Sequence, residues 1–521
     1  MAESSHTALR AASLMVGTRL VNIAVGLVAI PVMIRYLGGT GFAAWAVLLA
    51  LAAGFALLEL GMPTAIVRFA AVPAQEGNWQ ETRSLFGKVW VVLVASFAAG
   101  LIVIGWAAPP LAAWLRLTDT PLFTAAQLVE LVFAAAVLRA FLQNGTYALY
   151  AARRFTAVSI VSLLQPLGSN FAAMVVAWRF ERLDITLLAY WSMQLVVLGS
   201  TFFLARKLCL PSIDRDTFHL RKLWELCVYG LTGQMEKCAQ FVNFQFDKFI
   251  IAGFVGLWMV TPYEVANRGV AALRSIPASG AETFLPTAMT RRSSDSDIWD
   301  WYMASTRLAT YGVAVFMLAP LAIAPLFLYA WAGEMGYLGR WAFVALTTGA
   351  MASILALPAA TLVQAAGKPG FQARAAALAI LINVPLSLLL VTQWGLMGAA
   401  IGTGIAMILS ALQLLHAVHK HFARPLGATF LMLAKFWPVL LVCAAWGGFT
   451  LVGFDYWFAA VDPSIRYYRA TRFYPGLAAL GIYAMCLVSM FLVEWLRGTF
   501  TPEERELVRR IPGLKWLALD P

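Results

Sequence analysis

The sequence predicts an all-α polytopic membrane protein with about 14 transmembrane helices, and composition is the first reason. Hydrophobic residues make up 61% and charged residues 12% of the 521-residue chain, whereas a soluble domain has about 45–50% and about 25%. The mean hydropathy is +0.76. The apolar residues are gathered into runs of about 20 residues or more, the length of helix that crosses a bilayer. We therefore expect transmembrane helices to occupy most of the chain.

The predicted spans follow one another with short polar loops between them. The first contains Arg19 and Asn22 and lacks a small-residue cleavage site, so we expect a true span and not a signal peptide. The remaining spans alternate with loops that carry Gly, Pro and charged residues. In order, the predicted spans are 12–34, 42–66, 85–108, 122–148, 156–178, 184–205, 223–251, 261–285, 305–330, 339–364, 371–392, 395–416, 430–452 and 473–496.

The distribution of Lys and Arg in the loops predicts the orientation. With the N-terminus inside, the inner segments hold 23 of these residues and the outer loops hold 8. Cytoplasmic loops carry the excess of positive charge. We therefore expect both termini in the cytoplasm, and most of the net charge of +12 follows from this bias and from attraction to anionic lipid. The charge gives no reason to expect nucleic acid as a partner.

The seventh predicted span, 223–251, is the most polar one. It contains Glu236, Lys237, Asp247 and Lys248 beside several amides. One charge at the centre of a spanning helix costs about 2.5–3.5 kcal/mol on insertion scales. A helix this polar must face a watery cavity or other helices, and such residues mark a transport path.

A weak internal repeat predicts two related halves. Residues 9–45 align with 227–263 at an offset of 218, which pairs Gly38 with Gly256 and Arg19 with Lys237. Because six spans per copy is an even number, the halves would run parallel. We predict two pseudo-symmetric six-helix bundles, 1–208 and 209–422, followed by two additional transmembrane helices and a cytoplasmic tail in 423–521.

Several blocks resemble the Wzx-type polysaccharide flippases. The opening block includes Arg35, Gly38 and Trp45 and is followed by Leu58-Glu59-Leu60-Gly61. The run 245–251 and then 263–268 resembles the seventh and eighth spans of that family, and Gly367-Lys368-Pro369 with 394–401 resembles the tenth to twelfth. The family belongs to the same larger group (the MOP exporter superfamily) as lipid II flippases and MATE multidrug exporters. The acid before Leu-Gly is often aspartate in the family and is Glu59 here.

The resemblance implies a function and a location. A Wzx-type flippase of the bacterial inner membrane moves undecaprenyl-pyrophosphate-linked oligosaccharide by alternating access, for lipopolysaccharide O-antigen or exopolysaccharide biosynthesis. It implies no enzymatic reaction and no cofactor. Its partners would be the lipid-linked substrate, membrane lipids, and a polysaccharide polymerase with its chain-length regulator.

Two sets of residues are candidates for the transport site. Cations on cavity walls can hold a phosphate, and the expected ones are Arg19, Lys237, Arg268 and Lys248. Lys248 could instead snorkel to the interface, and Arg268 could bridge Glu264 four residues earlier. Acids that take up a coupling ion are the second set: Glu59, Asp247, Glu236 and Glu264. We favour Glu59, because no cation lies within four residues of it. Arg139 has no informative spacing and ranks lower.

Other readings remain open. An ion-coupled multidrug exporter would need an acid-dominated cavity for cationic cargo. A lipid II flippase is a further alternative, and it would use the same cavity cations as a Wzx-type flippase. A polysaccharide polymerase or ligase needs a large outer loop, and the longest here is about 453–472. There is no Walker motif. We expect no metal site at His416, His419 and His421, and we expect the five cysteines, which lack CxxC spacing, to be small hydrophobic residues.

Overall fold

The computed structural model describes the backbone of residues 2–210, 220–290, 295–366, 368, 370–460 and 469–497, and most side chains between 17 and 497. Helices make up nearly all of this part, and no strand occurs in it. The helices are α1 Ala2–Phe55, α2 Met62–Phe69, α3 Ala71–Gln75, α4 Trp79–Trp114, α5 Ala125–Ala151, α6 Phe155–Phe180, α7 Leu183–Leu204, α8 Arg206–Cys209, α9 Leu220–Phe241, α10 Asp247–Ile250, α11 Val260–Thr290, α12 Asp295–Val313, α13 Ala319–Ala322, α14 Ala324–Ala332, α15 Glu334–Leu338, α16 Arg340–Leu355, α17 Leu357–Ala365, α18 Gly370–Trp394, α19 Leu396–His421, α20 Leu426–Ala434, α21 Trp437–Ala460 and α22 Arg469–Leu496.

The number of membrane-spanning helices agrees with the sequence. Within the described ranges, 11 helical segments are long and apolar enough to cross a membrane. The first, Val21–Glu59, is interrupted at Gly38 and corresponds to two predicted spans. The predicted spans 223–251 and 261–285 are also helical but are more polar than these segments. The all-α polytopic class with about 14 helices is therefore confirmed.

Three pairs of positive-φ residues lie at similar intervals along the chain. Gly38 (φ 71°, ψ 170°) and Gly256 (φ 143°, ψ 149°) each separate two helices and lie 218 residues apart, as the sequence alignment predicts. Two further pairs of positive-φ residues recur 217 and 214 residues apart, namely Arg116 with Gly333 and Glu181 with Gly395. Residues other than Gly rarely have positive φ. These three pairs share only the sign of φ, and the two related halves stay a prediction.

The chain forms two compact units. The first comprises Met1–Glu264 and Ile380–Ala399, and the second comprises Val265–Ala379 and Ala400–Pro521. Apolar clusters fill the second unit; one surrounds Tyr302 and Val418, and another surrounds Phe436 and Cys443. These units are groups of residues that contact one another more than they contact the rest of the chain. The repeat boundaries that we expect after residues 208 and 422 stay a prediction.

Within the first unit, the backbone that precedes α2 touches α9. Gly61 has φ 71° and ψ 12°, and a Cβ atom there would collide with the carbonyl of Gly230. Beside this contact, Gln234 Nε2 donates to Leu57 O over 2.9 Å. The Arg68 guanidinium, at the end of α2, lies 4.6 Å from the ring centre of Tyr229 and donates to its hydroxyl. We call this contact the α2–α9 seam.

Replacement of Gly61 by Ala should destabilise the protein more than the same change at glycines without the contact. Gly61→Ala adds left-handed strain and a backbone collision, and we expect a loss of about 2–5 kcal/mol in the free energy of unfolding. Gly38→Ala adds only strain, because nothing lies within 4 Å of its Cβ position, and should cost about 1–3 kcal/mol.

Gly26→Ala is the control, because Gly26 lies inside α1 with open space around it. There Ala should be neutral or stabilising by up to about 1 kcal/mol. Thermal unfolding in detergent compares the three variants. Equal stability of Gly61→Ala and Gly26→Ala would contradict the seam.

Candidate functional site

A cavity of about 350 Å³ lies in the first unit, between the end of α1, α5 and α9. Its walls combine charged, amide and aromatic side chains. The residues that line it are Ala53, Ala56, Leu57, Glu59, Arg139, Tyr147, Lys237, Gln240, Phe241, Phe244 and Gln245. Sequence reasoning named Glu59 and Lys237, and the structure brings these two together in one cavity.

Glu59 reaches the cavity because the helix ends there. After α1, residues 56–59 form one 3-10 turn, and Leu60 then adopts φ 48° and ψ 33°. A left-handed conformation is uncommon for a branched residue such as Leu and stops the helix. Glu59 is 8% exposed, yet its carboxylate makes no hydrogen bond or ion pair with any described residue. Its remaining exposure is to the cavity.

Two cations face this carboxylate from different helices. Arg139 lies on α5, and Lys237 lies on α9; both interact electrostatically with Glu59. Arg139 Nε is buried without a hydrogen-bond partner among the described residues, and the described part of the chain shows no ion pair for either cation. The cavity therefore holds two cations and one acid that are not neutralised by contact.

Arg139 lines the cavity although it is not among the residues that the sequence favours. The missed signal is spacing, since Arg139 and Tyr147 are eight residues apart on α5 and therefore share one face of the helix. Both line the cavity. An Arg and a Tyr on one face of an apolar helix indicate a polar environment at that face.

The helix that carries Lys237 changes its winding beside the cavity. α9 continues into a π-helical turn at 242–246, and a second π turn follows α10 at 251–255. Phe244 and Gln245 lie in the first of these turns and line the cavity. Short π-helical turns within α-helices are frequent at functional sites. Here the wide turn gives the cavity an amide and an aromatic ring.

Three predicted site residues pair with other groups in a buried polar cluster next to the cavity. Lys248 Nζ lies 2.7 Å from Glu264 Oε2, and each side chain is 1% exposed. Lys248 also donates to Gln245 Oε1 over 2.7 Å. The Tyr263 hydroxyl donates to the Asp247 carboxylate. We call these residues the 245–264 cluster, and it places Lys248, Asp247 and Glu264 together.

The amides of the π turn extend the cluster to α18, within the same unit. Asn383 Nδ2 donates to Asn243 Oδ1 over 3.0 Å, and Ser387 Oγ donates to Asn383 Oδ1 over 3.0 Å. Asn383 and Ser387 are fully buried. The polar side chains from Asn243 to Lys248 are therefore hydrogen-bonded, which lowers the cost of placing this part of the helix in a membrane.

The other predicted residues lie elsewhere. The side chains of Arg19 and Glu236 are outside the described residues. Arg268 is exposed and belongs to α11 of the second unit. His419 is buried with its Nε2 between the hydroxyls of Tyr302 and Thr429. The described residues contain no cluster of three or more His, Cys, Asp and Glu side chains.

Comparisons with known proteins identify the fold. No family model matches the chain, and no curated protein matches it significantly. The lipid II flippase MurJ in an inward closed conformation superimposes with a TM-score of 0.68 over 93% of this chain and 99% of its own, at 12% identity. An inward-facing MATE-family multidrug transporter of the MOP superfamily gives 0.57 over 79% and 98%, at 14% identity. A Vibrio cholerae MATE transporter gives 0.55 over 81% and 99%, at 13% identity. The chain has the fold of these transporters.

Replacement of one member of the Lys248–Glu264 pair should destabilise the protein strongly. Replacement of both should destabilise it by less than the two single effects combined. Lys248→Met or Glu264→Gln leaves a charge buried alone and should each lower the free energy of unfolding by about 3–5 kcal/mol. The double variant should lose less than the sum. Denaturation in detergent micelles gives the free energies of unfolding of the two single variants and the double variant, and together these form a double-mutant cycle.

The exposed pair Arg221–Glu225 on α9 is the control, because its side chains are 84% and 60% exposed. The corresponding cycle there should give only about 0.3–0.5 kcal/mol. Additive effects at Lys248 and Glu264 would show that the two charges are not coupled.

Proposed function

We propose that this chain is a flippase that carries the anionic head group of a lipid-linked oligosaccharide across a membrane. The observation that carries the proposal is the pair Arg139 and Lys237, two cations in one cavity with a single acid. A guanidinium offers a planar set of donors that matches phosphate oxygens, and an ammonium adds a second positive charge. The excess of positive charge suits an anion.

The energetics of the task support this assignment. An ionised phosphate in hydrocarbon without partners costs roughly tens of kcal/mol. Cations that are already held without an acid in direct contact can offset this cost when the anion arrives. The aromatic rings of Phe241 and Phe244 give the same cavity apolar surface for the less polar faces of sugar rings. The polyprenyl chain would stay in the lipid.

The charges of the cavity favour this function over cationic drug export, which the same fold also carries out in the MATE neighbours. A multidrug exporter such as the MATE neighbours remains the second candidate, and it would need acids to hold cationic cargo, whereas this cavity has two cations and one acid. A lipid II flippase is the alternative within the same chemistry, supported by the likeness to MurJ. A membrane polymerase or ligase is the remaining reading, and its fold neighbours do not favour it.

Transport would proceed by alternating access. The α2–α9 seam joins the chain next to the cavity to α9 through the Gly61–Gly230 contact and the Gln234–Leu57 hydrogen bond. One of the fold neighbours has an inward closed conformation. We propose that the seam opens in one state of the cycle and closes in the other.

The proposal includes location and cargo. The protein would lie in the bacterial inner membrane with both termini in the cytoplasm, as the loop charges indicate. Its cargo would be undecaprenyl-pyrophosphate-linked oligosaccharide for O-antigen or exopolysaccharide, delivered to a polymerase with its chain-length regulator. Arg19, Arg268 and Lys248 remain proposed contributors, with Lys248 acting through its buried pair.

Loss of either cavity cation should reduce transport. Arg139→Ala and Lys237→Ala each remove a charge-assisted hydrogen bond of about 1.5–3 kcal/mol to the phosphate, which corresponds to about a 10–100-fold loss of transport rate. Arg139→Lys should recover part of it, because a point charge replaces the planar donors. Surface polysaccharide in a complemented deletion strain, normalised to protein abundance, measures the effect.

Arg221→Ala is the matched control, since Arg221 lies on the same helix as Lys237 but is exposed. It should transport at the normal rate. Normal transport by both cavity variants would place the anion elsewhere and refute the proposal.

Glu59 is proposed to couple transport to an ion gradient. A proton or sodium ion that binds to Glu59 changes which carboxylate–cation pairs form in each state, so the ion biases the equilibrium between the two states. Glu59→Gln should weaken transport and its dependence on the gradient together, while Glu59→Asp should retain both. Proteoliposomes with an imposed gradient measure this, with the exposed Glu130→Gln as control. Unchanged gradient dependence in Glu59→Gln would exclude Glu59.

A further inference from the structure

Three sulfur atoms meet in the buried contact between α21 and α22. Cys443 lies on α21, and Cys486 and Met490 lie one turn apart on α22. Cys443 Sγ is 3.8 Å from Cys486 Sγ and 3.6 Å from Met490 Sδ, and Cys486 Sγ is 3.9 Å from Met490 Sδ. The three residues are at most 5% exposed. We call them the sulfur triangle.

The dimensions of the sulfur triangle match three-coordinate metal binding. The centre of a triangle with sides of 3.6, 3.8 and 3.9 Å lies about 2.2 Å from each sulfur, and a metal–sulfur bond is about 2.3 Å long. A metal ion at the centre would therefore reach all three sulfurs without movement of either helix.

We propose that Cys443, Cys486 and Met490 bind one monovalent soft metal ion, and that Cu(I) is the ion they fit. Thiolate and thioether ligands select soft metals such as Cu(I). Structural zinc takes four nitrogen, sulfur or carboxylate ligands. Among the described residues, no His, Asp or Glu joins the two cysteines in a cluster that could hold zinc. The donor set and the number of donors thus both favour Cu(I) over Zn(II).

The charge balance also suits the surroundings. One thiol gives up its proton when Cu(I) binds, so one thiolate, one thiol and one thioether with the metal ion make a neutral site, and the proton leaves to water. Apolar side chains surround the sulfur triangle, among them Phe436, Val439 and Leu487. A neutral complex is the form that such an environment accepts. A bound ion would join α21 to α22 by three bonds.

Copper retention by the purified full chain tests the site. The reduced protein in detergent is loaded anaerobically with Cu(I) in the presence of a chromophoric Cu(I) chelator, desalted, and analysed for metal content. We expect one copper ion per chain. Cys443→Ser and Cys486→Ser should each retain none, and Met490→Leu, which keeps the packing volume, should retain less than the unmodified chain.

The matched control replaces the other three cysteines, Cys209, Cys227 and Cys238, by Ser and should still retain one copper ion. X-ray absorption on the unmodified chain counts the ligands without any variant, and we expect three sulfur atoms at about 2.3 Å. Absence of copper, two sulfur ligands only, or retention that survives Cys443→Ser would each overturn the proposal. A disulfide between Cys443 and Cys486 that forms in place of copper binding would also overturn it.

Discussion

The structure depends on one constraint: charged and polar side chains inside a membrane need partners. The seventh predicted span meets it in two different ways along its length. Beyond residue 242, Lys248, Asp247 and the amides have partners in the 245–264 cluster and on α18. Before residue 242, Lys237 faces a cavity and has no ion pair in the described part of the chain. One helix is thus anchored at one end and left available for a ligand at the other.

The difference between these two ends decides which charges can serve transport. A buried ion pair such as Lys248–Glu264 loses several kcal/mol when one partner is removed, so a ligand that competes for Lys248 must supply that energy. Lys237 and Arg139 carry no such penalty. In the proposed function, the cavity cations would bind and release the anion, while the 245–264 cluster would keep the helix in place.

The sequence was sufficient for the features that follow from local pattern. Runs of apolar residues predicted the spans, and the alignment paired Gly38 with Gly256, which both adopt positive φ, a conformation that strongly selects Gly. The sequence could not show that Lys248 is in a buried ion pair whereas Lys237 faces a cavity, because the partner of Lys248 lies 16 residues away on another helix. Spacing within α5 places Arg139 on one face with Tyr147, but it does not record whether Arg139 forms an ion pair with another helix. The pairing of charges is a tertiary property.

The two π-helical turns on either side of α10 have a mechanical consequence. A π turn holds one residue more than an α turn, and its extra residue can pass from one turn to the next as the hydrogen bonds exchange. Such a helix can rotate its side chains by about 100° over part of its length without leaving backbone groups unbonded in lipid. Phe244 and Gln245 lie in the first π turn, so the surface that faces the cavity can change while both ends of the helix stay fixed.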